Sequence, residues 1–499
     1  MQTRGVTRHM ARQDIEDDEQ EHGHDDGPSM LEQHHRGTIW IPWTLILLGF
    51  WVLLAPLTLG YLNESLWAQP SGGRGAWFSD QTHDSLRAWL ITWSDVVSGA
   101  LLVVLGWRAL KPDRPVSRWA ACFVGIWLVF APVVLWSPSA AAYASDSIVG
   151  LLVIALTILI PGMPNMVRFM QMGPPTPPGW SYNPSSWAQR SILIALGFAG
   201  LMVSRYLAAY QLGYIDHVWD PFFGFAGGTQ EVLDSRMSHT WPISDAALGG
   251  VAYGFEFLMG FMGSKARWRT MPWMVTMFGI LVIPLGLSHI ALVMSQPVVV
   301  HHWSTLALLA AAIMLPMITL TVDEVVAMGQ HVRDGIRRGD RDGSAWKVFW
   351  MGGQPGESTP DERTPSIADA HDEPGGVLRA SLWGASTPWN LLAVAALGAW
   401  LLAAPAVFGV EITSGAADVA HVGGAFVVVD AVIAWGEPVR ALRLLNVPAG
   451  LAVAGLVLVT DADVSYSAAV IATGLAVAAL SVPRGEIRDR YGDWHLLTR

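Results

Sequence analysis

One cysteine, Cys122, stands in 499 residues, inside the apolar run WAACFVGIWLVF. That count alone excludes an intramolecular disulfide and any dithiol mechanism confined to this chain. Charge is also scarce: Asp, Glu, Lys and Arg make up 14% of the residues, against roughly 25% in soluble globular proteins. A water-soluble globular fold is excluded, and the chain is expected to lie in a lipid bilayer. No phosphate-binding glycine loop, Gly-x-Ser-x-Gly elbow or metalloprotease helix motif occurs. Basic residues of the hydrophobic region fall in connecting loops, so nucleic acid is not an expected partner. The first residues lack the basic start and apolar core of a signal peptide. They read QDIEDDEQEHGHDDG instead, and residues 1–38 are expected to form a disordered, acidic and histidine-rich cytoplasmic tail.

What is present is a succession of apolar runs. A membrane span needs about 20 mostly apolar residues, and about twelve such runs can be drawn. Four are Trp40–Leu62, Trp89–Trp107, Ser117–Trp136 and Asp146–Met163. Four more are Trp187–Leu212, Asp245–Met262, Met271–Met294 and His301–Leu320. The last four are Trp389–Val410, Ala417–Trp435, Val447–Val459 and Ser465–Val482. The fold class is therefore all-α, a polytopic membrane protein. Cations alternate between loops: Lys111, Arg114 and Arg118; Arg168 and Arg190; Lys265, Arg267 and Arg269; Arg440 and Arg443. The loops between these sets are acidic or neutral. By the positive-inside rule both termini are expected in the cytoplasm, for a multi-pass protein of the plasma membrane.

Internal repeats divide the chain. GFWVLLAPLTLGY, GIWLVFAPVVLWS and GAWLLAAPAVFGV each carry Gly-x-Trp and then Ala-Pro, and each precedes a helix with an early acid, at Asp95, Asp146 and Asp418. A degenerate fourth copy runs LAVAGLVLVTDADVSYSAAVIATG. Glycine permits close helix approach in lipid, proline bends or ends a helix, and the aspartate is expected to act as an N-cap. The boundaries that follow are two hairpins at 39–165, a middle block at 186–326, a disordered cytoplasmic linker at 327–386, two further hairpins at 387–484 and a cytoplasmic tail at 485–499.

These hairpins resemble the SPW repeat, a prokaryotic membrane hairpin. The middle block carries an outer loop with Val-Leu-x-Ser at Ser235, a helix opening Pro-Ile-Ser-Asp-Ala-x-Leu-Gly at Pro242–Gly249, and a helix ending Ser-x-x-x-Leu. In that order these features resemble the vitamin K epoxide reductase family, and specifically its bacterial branch flanked by SPW repeats. The resemblance implies a four-helix bundle that holds a quinone against a Cys-x-x-Cys pair at the outer start of the last helix. It also implies a second cysteine pair in the outer loop, shuttling electrons from a thiol-bearing membrane or periplasmic partner.

Carried onto this chain, the active-site cysteines fall at His301 and Ser304 and the loop cysteines near Asp220 and Thr229. None is cysteine. Thiol–disulfide exchange proceeds through thiolate attack on sulfur, which imidazole and hydroxyl do not replace, so quinone-linked dithiol catalysis is not expected. A quinone pocket needs no cysteine itself. Tyr206, Tyr210, Ser235, Tyr253, His289 and His301 are the polar candidates to hold a quinone in an apolar site. Arg205 and Glu256 lie within spans, where a charge is costly, and are expected to pair. The outer-loop carboxylates and imidazoles suit zinc or copper. Yet His301 and His302 are neighbours expected to point apart on a helix and no His-x-x-x-His spacing occurs, so neither metal nor haem is expected. Two classes remain open: a quinone-linked oxidoreductase by descent, or a non-catalytic membrane scaffold or binding module, with metal binding at its outer face left open.

Overall fold

The computed structural model describes residues 36–68, 84–111, 114–159, 175–224, 228–337, 345–353, 363–366 and 371–496. The acidic tail expected at 1–38 lies outside the described residues except for its last three. Every regular element among the described residues is helical. Among the described residues, eleven helices are long and apolar enough to cross a membrane.

The first four are α1 (Trp40–Thr58), α2 (Asp84–Ala109), α3 (Pro115–Val134) and α4 (Ala140–Leu159). They pair as α1 with α2 and α3 with α4. The reason is a glycine on each partner. A Cβ at Gly99 would lie 2.6 Å from the Gly49 carbonyl oxygen, and one at Gly150 would lie 2.7 Å from that of Gly125. Only hydrogen fits, so the backbones meet directly and dispersion contacts accumulate along both hairpins.

The last four are α13 (Trp389–Val407), α14 (Gly415–Ile433), α15 (Asn446–Leu456) and α16 (Val464–Ser481). They cross in the same way, with Gly398 against Gly424 and Gly450 against Gly474. Even the degenerate copy keeps its glycine pair.

Between these flanks stands the middle block. Helix α5 (Trp187–Gln211) is N-capped by Ser186, whose side chain accepts from Gln189 N. After a loop and the short α6 (Gly228–Asp234) comes α7 (Asp245–Phe261), capped by Ser244. With 17 residues, α7 is about 25 Å long at the α-helical rise, the low end of a spanning length. The next span is continuous from Pro272 to Val300, running on past Met294, where its apolar run was expected to end. It comprises α8 (Pro272–Ile280) and α9 (Gly286–Ser295), each followed by a π-helical turn, Leu281–Leu285 and Gln296–Val300. Both turns contain a proline, Pro284 and Pro297, whose missing N–H opens the regular ladder.

Helix α10 (Thr305–Arg337) is the axis of the block. Its apolar run was expected to end at Leu320, and the helix runs on through Asp323 and Glu324. Both are buried, and each has partners, so the helix continues. Tyr182 Oη donates to Asp323 Oδ2 at 2.8 Å, and Arg267 grips Glu324 with two bonds of 2.6 Å. The expected linker at 327–386 carries helix in its described part: the end of α10, α11 (Ala345–Met351) and α12 (Pro374–Ala380). Residues 338–344, 354–362 and 367–370 lie outside the described residues. The basic loop residues are likewise structural. Arg190, Arg267, Arg269 and Arg440 are fully buried, and Arg190 donates to the carbonyls of Gly260, Met262 and Gly263 at 2.8–3.0 Å.

Candidate functional site

His301-His302-Trp303-Ser304 precedes α10 rather than opening it. The two histidines therefore do not share a helix, contrary to the spacing argument made for them. His301 takes a left-handed backbone conformation, φ +60°, and closes the preceding π turn. Its Nδ1 lies 3.2 Å from the Pro297 carbonyl oxygen. Ser304 is the first-turn cap of α10: its Oγ accepts from Ala307 N at 3.1 Å, which satisfies an otherwise orphaned amide.

That same hydroxyl meets the outer loop. Ser304 Oγ and Thr229 Oγ1 are 2.9 Å apart, and both residues are fully buried. Thr229 Oγ1 donates to Asp220 Oδ2 at 2.6 Å, and Thr229 N donates to the same oxygen at 3.0 Å. Thr305 donates to Asp220 through its hydroxyl and, at 3.4 Å, through its amide. The amides of Phe222 and Phe223 complete the set at 3.2 and 2.9 Å. Burial opposes the charge on Asp220, but the hydroxyls of Thr229 and Thr305 and the backbone amides outweigh it and hold the carboxyl below its usual range. Three of the four positions singled out in the sequence, Asp220, Thr229 and Ser304, thus form one cluster, with Thr305 as a member that no motif flagged. His301 stands aside, turned to Pro297.

The six quinone-lining candidates divide. Tyr253 and His289 come together inside the block, their rings edge to face at 6.2 Å. Tyr253 Oη donates to the Ala310 carbonyl at 2.9 Å, while His289 Nε2 is buried without a hydrogen-bond partner among the described residues. The other four lie at the loop end. Tyr206 Oη accepts from Trp219 N, Tyr210 Oη donates to Asp234, and Ser235 Oγ donates to the Val232 carbonyl.

The expected Arg205–Glu256 pair does not form. Arg205 lies against Tyr143, and both Glu256 oxygens are buried with no hydrogen-bond partner among the described residues. The two residues sit on neighbouring helices. Among the described residues, the buried ion pair of the block is Arg267–Glu324.

One constellation escaped the sequence. Asp95 and Asp146 were expected as N-caps, but Asp95 lies far inside α2, which begins at Asp84. Asp146 lies inside α4, and both are fully buried. They lie close enough to each other and to the Tyr61 hydroxyl to interact electrostatically, yet none of the four carboxylate oxygens, nor Tyr61 Oη, has a hydrogen-bond partner among the described residues. The available signal was their common register: each precedes its crossing glycine, Gly99 or Gly150, by four residues.

Among the described residues no group of three or more His, Cys, Asp or Glu side chains is placed to hold a metal ion. Comparison with family models matches residues 191–322 to the Vitamin K epoxide reductase family and residues 75–159 to the SPW repeat domain. Neither the curated proteins nor the solved structures compared with the chain gave a match. The chain therefore carries a vitamin K epoxide reductase family domain together with an SPW repeat domain, in an all-helical, multi-pass membrane protein.

Proposed function

We propose that this vitamin K epoxide reductase family domain binds a quinone and has given up the disulfide exchange that the family's dithiols perform. The observation that carries the reading is the Asp220–Thr229–Ser304 cluster. Loop and helix still meet at hydrogen-bond distance where thiols would exchange electrons, but every group there is a hydroxyl or a carboxylate. Such groups fix the loop to the helix and cannot form or break a disulfide. Quinone binding is supported by Tyr253 and His289, adjacent in an apolar interior, with His289 Nε2 free to meet a carbonyl or hydroxyl oxygen. The protein sits in the plasma membrane with both termini in the cytoplasm, as the alternating loop charges support. A thiol-bearing partner at the outer face would have to bring all of its own thiols.

The second reading, a non-catalytic scaffold, has one observation in its favour. Tyr253 Oη is already satisfied by Ala310, within a packed cluster of Phe278, Ile290 and Met314. Native mass spectrometry of gently extracted protein separates the two. A stoichiometric quinone is the expected result; a quinone-free protein in every mild detergent favours the scaffold.

The cluster has its own test. Thr229→Cys combined with Ser304→Cys should form an intramolecular disulfide under a mild oxidant, seen as two alkylation sites lost until reduction. Thiol oxidation by the protein should stay absent with the wild-type chain. Turnover of an added dithiol substrate by wild-type protein would overturn the proposal.

A further inference from the structure

Beside Ser304, between the family domain and the C-terminal hairpins, a cleft of about 420 Å³ opens between α13 and the start of α10. Ala399, Leu402 and Ala403 of α13 form one wall, Trp303 and Leu308 the other, and His421 of α14 closes its head. The volume falls within the range of small-molecule sites. The walls are apolar, and the alanines make α13 concave where it faces the indole.

His421 is the exception. It is 3% exposed, and its Nδ1 is buried with no hydrogen-bond partner among the described residues. The Trp303 ring meets the imidazole edge to face at 5.4 Å, which holds both rings in place. A buried ring nitrogen with nothing to bond is unfavourable; Asp418, one turn away on α14, acts on the ring electrostatically without bonding this nitrogen, and an oxygen carried by an occupant of the cleft would satisfy it. An acyl chain would fill the volume and leave the nitrogen unpaired. A flat ring bearing an oxygen does both: the ring lies between indole and alanines, and the oxygen reaches the imidazole.

We infer that this cleft binds a lipid-soluble ring compound through a hydrogen bond between its oxygen and His421 Nδ1. The ligand class rests on the quinone reading above; the placement does not, since the handle and one wall come from the C-terminal hairpins. Trp303 thereby acquires a role that the loss of the neighbouring cysteines left open.

The test is photolabelling of the full-length protein in lipid nanodiscs with an azido-substituted short-chain benzoquinone, mapped by peptide mass spectrometry. The expected label falls on peptides carrying Trp303 or Ala399–Ala406 and is competed by unlabelled benzoquinone. His421→Ala should lower it about fivefold, as for one lost hydrogen bond. Ala403→Trp, on an exposed stretch of α13, should abolish it by filling the cleft. Val407→Trp on the same helix, 62% exposed and off the cleft, should leave it unchanged. The Ala403→Trp arm stands even where His421→Ala unfolds the protein. Competed label confined to peptides carrying Tyr253 or His289 overturns the cleft and leaves the quinone reading intact. No competed label anywhere, with no co-purifying quinone, overturns both. Label in the cleft that neither competitor nor Ala403→Trp removes is lipid-like adsorption and overturns the inference.

Discussion

At the scale of single residues, Asp220 decides how the outer loop is held. Its carboxylate accepts from two hydroxyls and four amides. Its pKa in the folded protein is depressed, because those hydrogen bonds outweigh burial. The sign follows from linkage: a depressed carboxyl stabilises the fold above its unfolded pKa and loses that contribution as pH falls through the folded value. With an unfolded pKa of about 3.9, the contribution is constant through the physiological range and lost only in stronger acid. Limited proteolysis of the loop should thus be flat between neutral and mildly acidic pH and rise sharply below. Asp220→Asn should be cleaved faster at neutral pH and should lose that acid-dependent step. An unchanged acid step in the variant would show that another group controls the loop. The sequence named Asp220, Thr229 and Ser304 through the positions that thiols would occupy. It did not show that they touch, because 75 residues separate Thr229 from Ser304.

At the scale of elements, the spans were legible because each is an uninterrupted apolar run bounded by caps, prolines or charge. What was not legible is where an element continues through polar residues. α10 passes Asp323 and Glu324 because Tyr182, Gln189, Ser185 and Arg267 come from elsewhere to meet them. Asp95 and Asp146 misled for the opposite reason. An acid near the start of an apolar run suits a cap, and only the helix pairing shows that each faces the other. The glycine crossings of the hairpins make a sharper prediction. α15 contains two glycines of opposite environment: a Cβ at Gly450 would lie 2.4 Å from the Gly474 carbonyl oxygen, while one at Gly455 meets nothing within 4 Å. Gly455→Ala should therefore raise stability by up to about 1 kcal/mol, the helix-propensity gain alone. Gly450→Ala should lower it by about 1–3 kcal/mol, as expected of an overpacked contact. Thermal unfolding in one detergent, read by tryptophan fluorescence, would rank the pair. Equal shifts would mean that the hairpin is not held by its backbone approach.

At the scale of the whole molecule, four regions distant in sequence are joined at the face that carries the basic loops. The segment before α5, the end of α10, the turn after α14 and the residues after α16 share one buried polar layer. Trp180 Nε1 donates to Gln330 Oε1 at 2.8 Å, and Gln330 Nε2 donates to the Tyr491 carbonyl at 2.8 Å. Tyr491 Oη donates to Glu437 Oε2 at 2.8 Å, and the amides of Arg488 and Asp489 donate to the same carboxylate at 3.0 and 3.1 Å. Burial and then the Glu437 charge push the Tyr491 hydroxyl above its usual range, so it remains the donor throughout the physiological range. None of this was readable from local pattern, since the stretch after α16 is polar, lacks periodicity and was expected as a tail. The layer is what couples the C-terminal hairpins to the family domain, and therefore what keeps the cleft between α13 and α10 in shape. Tyr491→Phe leaves a buried carboxylate short of one donor, which costs about 1–3 kcal/mol. Arg488→Ala is the matched comparison. The Arg488 side chain is 65% exposed and among the described residues pairs with Glu486, at 3.6 Å, while its contribution to Glu437 comes through the backbone; an exposed pair of that kind is worth little. Tyr491→Phe should lower the unfolding midpoint and speed trypsin cleavage after Arg484, Arg488 or Arg490, and Arg488→Ala should not lower the midpoint. If both variants unfold like the wild type, the layer does not hold the halves together and α10 alone must do so.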